Sequence, residues 1–251
     1  MILDFNMTLF TMVLMRMSGC ILFNPIFGRR NVPVIVRAGM TLLLAFFTFS
    51  LIPDKNIEVT NLVVYGVVMV KELLIGFVIG YIIQMFLAVI IIAGEIMDLQ
   101  MGLSMSQIYD PQSNISMPVS ASIINAMWML LFFASNGHTT LIRLFIQLGT
   151  VSPYGELALS QELFKDMASL LSLILIYAVK LALPILAVEI IVEMGVGLLM
   201  KAVPQINVFI VNLQLKIFIG FVAILLLVPA YSKFLERLLT LMFDQIIRTF
   251  G

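Results

Sequence analysis

The chain has 251 residues, 62% of them hydrophobic and only 11% charged, and its mean hydropathy is +1.13. Soluble domains do not have this composition, and several apolar runs reach the roughly 20 residues needed to span a bilayer. Lys+Arg and Asp+Glu are both 14, so there is neither a basic field for nucleic acid nor a polybasic tail for anionic lipid.

An all-α membrane protein without a separate soluble domain is therefore expected, with no nucleic acid among its partners. Cys20 is the one cysteine and reads as a small core residue. Met7 to Phe27 is predicted as the first helix, interrupted by Arg16. Asp4 stands where a signal peptide would be basic, and no small-residue cleavage site follows, so this run is expected to be retained. Pro25, Gly28 and Pro33 punctuate a turn holding Arg29 and Arg30, and a second helix runs from about Val34 to Ile52, ending at Pro53. Leu62 to Met97 exceeds one simple span. Lys71 and Glu72 are read as dividing a short lead-in from a strongly apolar helix that Glu95 and Asp98 close. Inside it, Gly76 and Gly80 form a G-x-x-x-G pair suited to close helix packing.

A polar segment, 100–118, precedes a helix over Val119 to Ala134. Asn136, Gly137 and His138 make a turn, and Thr139 to Thr150 is a helix too short to span. Two long helices follow a mixed loop, about Ala168 to Lys201 and Ile206 to Tyr231. The tight connection from Lys201 to Gln205 makes them a hairpin. In the last segment, 232–251, Phe234, Leu235, Leu238, Leu239, Met242, Phe243, Ile246, Ile247 and Phe250 trace one helical face, and Lys233, Glu236, Arg237, Asp244 and Arg248 the other. This amphipathic helix is expected to lie at the membrane interface or to dock on a partner. Arg29, Arg30, Arg37 and Lys201 favour a cytoplasmic side for their turns in a chain of six spans.

The apolar runs contain charges. Leu170 to Met200 carries Lys180, Glu189 and Glu193, and a charge at the centre of a spanning helix costs about 2.5–3.5 kcal/mol even on the insertion scale. Such groups should face protein or a water-filled path. Antiparallel pairing about Val203 and Pro204, at about 1.5 Å per residue, puts Lys216 between the levels of Glu189 and Glu193. Lys180, Glu189, Glu193 and Lys216 are the expected buried charge network. It reads as an ion pair fixing hairpin register, as a proton or ion relay, or as a contact to another subunit.

Segment 100–118 is the other candidate site. Gly102, Asp110, Pro111 and Pro118 disfavour regular structure, while Met101, Met105, Ile108, Tyr109 and Met117 keep it apolar; with Gln107 among them, these residues suit a deformable seal or a loop packed on its neighbours. Enzyme chemistry lacks its groups. His138 is the one histidine, and no G-x-S-x-G, H-E-x-x-H or G-x-x-x-x-G-K-[ST] occurs, so no catalytic residue, metal site or cofactor is expected.

Several short motifs occur together. They are Arg16 with Pro25, Gly28 and Pro33; Gly94-Glu95 followed by Gly102 and Asp110-Pro111; Asn136-Gly137-His138; and Gly195 to Asn212 with Lys201, Ala202 and Pro204-Gln205-Ile206-Asn207-Val208-Phe209. In this order and spacing, over the whole chain, they resemble the FliR family of flagellar type III export-gate proteins. The resemblance implies a FliP-like part, 1–167, followed by a FliQ-like hairpin, 168–231, within one subunit. It implies assembly with FliP, FliQ and FlhB in the bacterial inner membrane at the flagellar basal body, a channel for unfolded flagellar subunits, and a lumen-plugging role for 100–118. Lys201, Pro204, Gln205, Asn207 and Phe209 would be the family's motif turn. Injectisome relatives share the architecture, and the Asn-Gly-His and Pro-Gln-Ile-Asn-Val-Phe elements favour the flagellar branch. The competing class is a small-solute or ion transporter built on the four hairpin charges.

Overall fold

The computed structural model describes residues 6–28, 32–52, 61–103, 108–110, 115–151, 153–155, 161–202 and 208–250. Seven helices carry the fold: α1 (Met7–Leu22), α2 (Val34–Leu51), α3 (Leu62–Met101), α4 (Val119–Ala134), α5 (Gly137–Val151), α6 (Gln161–Ala202) and α7 (Val208–Phe250). Between α3 and α4 lie two three-residue strands, β1 (Ile108–Asp110) and β2 (Ile115–Met117). They pair antiparallel, with Tyr109 opposite Ser116.

Local chemistry sets the helix ends. The Asn6 side chain accepts from the amides of Thr8 and Leu9 at 3.0 and 3.2 Å, capping α1. After α1, the Asn24 side chain accepts from the Ile26 amide at 2.8 Å, and the Gly28 amide donates to the Asn24 carbonyl at 2.7 Å, closing the expected turn. Ile52 is extended, φ −75° and ψ 119°, as the residue before a proline must be, and α2 stops there. Asn136 takes φ 57°, a left-handed conformation that asparagine tolerates. There α4 ends and α5 begins.

The chain forms two compact units that interleave in sequence. One comprises Met1–Met85, Asn136–Ala168 and Thr240–Gly251; the other comprises Phe86–Ser135 and Ser169–Leu239. In the first, α1 packs on α2, and α5 lies against both. A Cβ on Gly19 would meet the Leu73 carbonyl at 2.6 Å and the Gly76 Cα at 2.8 Å, so α1 crosses α3 backbone to backbone. A Cβ on Gly80 would in turn meet Phe23 at 2.8 Å. Both glycines of the G-x-x-x-G pair thus face α1 or the residue that follows it. Leu9, Met12, Met17 and Ile21 are fully enclosed here. In the second unit, Gly94 lies against Ala121 on α4, and Ile90, Met97, Ile124, Trp128 and Phe132 are fully buried.

The structure corrects several expectations. Helix α3 runs unbroken through Lys71 and Glu72, because both are compatible with a helix and the Glu72 carboxylate finds a partner inside the protein. Helix α6 starts at Gln161 and contains Pro184, and α7 continues through Pro229 and Tyr231 to Phe250 without the expected separation of 232–251. Segment 100–118 contains regular structure after all, the β1–β2 ribbon. Four helices among the described residues are long and apolar enough to cross a membrane, or five if α4 and α5 form one bent span, against the six expected. The C-terminal stripe was read correctly as a face: Leu235, Leu238, Leu239, Met242 and Ile246 are buried, and Lys233, Glu236, Arg237, Asp244 and Arg248 are exposed. The buried members of the stripe are covered by this chain itself, whereas Ile247 on the same stripe is 52% exposed.

Candidate functional site

The first unit holds an enclosed ion pair. Arg16 Nε donates to Glu72 Oε2 at 2.6 Å, with both side chains about fully buried at 0% and 1% exposure. Arg16 also donates to the Leu148 carbonyl at 3.3 Å, and its guanidinium lies 4.0 Å from the centroid of the Tyr154 ring. Glu72 Oε1 accepts from the Gly155 amide at 2.9 Å. Burial pushes the Tyr154 phenol up to about 12, so a neutral ring faces the cation. One ion pair therefore ties α1, α3, α5 and the turn after α5 together. The sequence marked Arg16 and Glu72 only as interruptions; their pairing spans 56 positions and leaves no local signal.

The hairpin charges are arranged differently from the expected buried network. Lys216 Nζ lies 3.4 Å from Glu193 Oε2, and the Glu193 side chain is 56% exposed. Gln100 Nε2 donates to the same Glu193 oxygen at 3.4 Å. Glu189 alone of the four is fully buried, and neither of its carboxylate oxygens has a hydrogen-bond partner among the described residues. Lys180 is exposed and lies 5.2 Å over the Tyr177 ring of its own helix. The register also differs: Lys216 is level with Glu193, and Gly220 with Glu189, whose Oε1 would be 2.9 Å from a Cβ there. The same missing Cβ admits the Met101 side chain. Lys201 lies in the last turn of α6 and is exposed, and Phe209 lies in the first turn of α7. Pro204, Gln205 and Asn207 lie outside the described residues.

Segment 100–118 is held at both ends. Met101, the last residue of α3, is fully buried, Gly102 turns the chain with φ +79°, and a Cβ on Gly102 would meet Leu213 of α7 at 2.9 Å. The Leu103 amide donates to the Asp98 carbonyl at 2.7 Å. At the far end Met117 is buried at 3% exposure. The Asp98 carboxylate there accepts from the Val119 amide at 2.6 Å, the Ser120 amide at 3.2 Å and the Ser120 hydroxyl. Ile108, Tyr109 and Asp110 form β1; Met105, Gln107 and Pro111 lie outside the described residues. Asp98 escaped the sequence reading as a site residue because its partners are more than 20 positions away. No cluster of three or more His, Cys, Asp or Glu able to hold a metal occurs among the described residues.

These features define a helical membrane protein whose long apolar helices carry charges and whose polar segment is anchored between two of them. The chain belongs to the family Bacterial export proteins, family 1, whose model matches residues 7–242. It is 31% identical to the flagellar biosynthetic protein FliR of Escherichia coli (strain K12) over 231 residues, covering 92% of this chain and 88% of that protein. It is also 31% identical to the protein of the same name from Bacillus subtilis (strain 168) over 226 residues, 86% and 84% of the two chains. Against that of Aquifex aeolicus (strain VF5) it is 27% identical over 210 residues, 82% and 79%.

Proposed function

We propose that this chain is a non-enzymatic subunit of the flagellar type III export gate. It assembles with FliP-, FliQ- and FlhB-like proteins in the bacterial inner membrane, at the flagellar basal body, and with them forms the channel through which unfolded flagellar subunits leave the cytoplasm. The carrying observation is the family match across 7–242, with relatives named for flagellar biosynthesis that align over nearly their whole length. Those names favour the flagellar branch over an injectisome.

The structure supports a subunit rather than a self-contained transporter. Only 28% of the most apolar window of α6 and 17% of that of α7 are buried within the chain, and Lys180 and Glu193 are both exposed on α6. Lipid is a poor cover for those charges. Neighbouring subunits supply one that can pair or hydrate them. Within the gate, segment 100–118 is the closing element: its ends are buried at Met101 and Met117, and its thioethers suit a deformable seal. The test is deletion of the chain followed by complementation, with the native mass of the purified complex. Loss of motility and of subunit export, restored by the wild-type chain, with the chain running in a large hetero-oligomer, is the expected result. A stable monomer or homo-oligomer with export intact in the deletion would overturn the proposal.

A further inference from the structure

Two carboxylates on α6 face one lysine on α7, and only one of them is paired with it. Glu189 and Glu193 lie one helical turn apart on α6, as Lys216 and Gly220 do on α7, so each couple shares a face with about 5–6 Å between Cβ positions. Lys216 Nζ is 3.4 Å from Glu193 Oε2, which also accepts from Gln100 Nε2 at 3.4 Å. One turn away, Glu189 is fully buried, and neither of its oxygens has a hydrogen-bond partner among the described residues. Its Oε1 lies 2.9 Å from the place a Cβ on Gly220 would take. The Glu189 carboxylate therefore rests against α7 one turn from Lys216, within the sweep of a flexible four-carbon stem. The other occupant of the Gly220 notch is the Met101 thioether, a side chain that adapts its shape to its neighbours.

We infer that Lys216 is an exchangeable counter-ion, whose ammonium passes between Glu193 and Glu189 by rotation about its own side-chain bonds, with no movement of either helix. The two carboxylates differ in setting: Glu193 is 56% exposed, whereas Lys216, at 12%, is largely enclosed and Glu189 is sealed. An enclosed cation stripped of its partner is strongly unfavourable, and so is a buried carboxylate that has none. Exchange meets both demands. It gives Glu189 a counter-charge, keeps Lys216 paired, and releases Glu193 on the open face of α6, still held by Gln100, to a cation from outside the chain. A pair fixed at Glu193 does none of these.

The test is thermal unfolding of the purified full chain in detergent, for Glu189→Gln, Glu193→Gln and the two together, first with Lys216 in place and then with Lys216→Met. Glu193→Gln alone should lower the midpoint by no more than about 4 °C, because Glu189 takes over the lysine. The double variant strands Lys216 and should fall by at least about 4 °C more than the sum of the two single shifts. Repulsion between two carboxylates one turn apart also makes the double variant exceed the sum, but by the same amount whether or not the lysine is there. Exchange needs the lysine, so the excess is expected to shrink in the Lys216→Met series. An excess that persists undiminished in that series, or no excess with Lys216 in place, leaves Lys216 a fixed partner of Glu193 and overturns the exchange. Should the double variant fail to fold, adding Lys216→Met to it decides. Recovery of folded chain supports the exchange, and failure of both variants overturns it, since the loss then does not depend on the lysine.

Discussion

Arg16 with Glu72 and Lys216 with Glu193 are both ion pairs set in apolar helices, yet they are opposites in setting. The first is sealed, with exposures of 0% and 1%, a 2.6 Å contact, and further partners for both members. The second is open: 3.4 Å long, with exposures of 12% and 56%. A sealed pair is an internal tie, since its groups meet each other, the backbone around them and the Tyr154 ring, all within this chain. An open pair on a helix whose apolar window is only 28% buried is surface, and in a membrane protein such a surface must be covered by something that tolerates charge. The comparison therefore makes the first pair an internal tie of the fold, and leaves the second on the surface that the proposed assembly would cover.

The sealed pair gives the largest expected effect. Glu72→Gln keeps an acceptor for the Gly155 amide but leaves the Arg16 cation buried without its counter-charge, which should cost about 3–5 kcal/mol. Arg16→Met together with Glu72→Gln removes both charges and should cost much less. Thermal unfolding of the purified chain in detergent reads both. If the double variant is destabilised as strongly as the single, the cluster is held by packing and the two charges do not act as a unit.

Burial can be varied without a pair on the C-terminal face of α7. Leu239 is 4% exposed and its neighbour Thr240 is exposed. Leu239→Glu gives up the burial of a leucine, worth about 1.5–3 kcal/mol, and adds an unpartnered carboxylate. Thr240→Glu should shift stability by no more than about 0.5 kcal/mol. Equal unfolding midpoints for the two variants would mean that the stripe is not packed as the structure has it.

What was legible in the sequence divides along the same line. Features that repeat or punctuate locally could be read: the stripe from Leu235 to Ile246, the turn at Asn136, the end of α2 before Pro53, and the closeness signalled by Gly76 and Gly80. Family membership could be read from the order of short motifs. Pairings across long separations could not. Glu72 looked like a helix break because its partner lies 56 positions earlier, and Asp98 looked like a terminus because the amides it satisfies lie beyond a polar segment. The hairpin was legible as a hairpin, but its register depended on residues that local spacing constrains to within a couple of positions. Lys216 consequently meets Glu193 rather than sitting midway. Lys180 gave no sign that it would lie over Tyr177.

The smallest effects on stability should come from the open charges, and they sharpen the comparison most because their effect should appear elsewhere. Glu193→Gln breaks a half-exposed pair and should cost no more than about 1 kcal/mol in the detergent-solubilised chain. Lys216→Met should cost more than Glu193→Gln, because Glu189 is fully buried and Lys216 is the cation whose field reaches it. Lys180→Met removes only a contact with Tyr177 and should change stability by about 0.5 kcal/mol or less. If α6 faces other subunits, Lys180→Met and Glu193→Gln should nonetheless lower the yield of the assembled complex, since each removes a charge that the neighbouring surface must meet. Co-purification yield, set beside the unfolding midpoint of the chain alone, separates the two quantities. Loss of stability in proportion to loss of assembly would make the open charges internal ties after all, and the distinction between the two pairs would collapse.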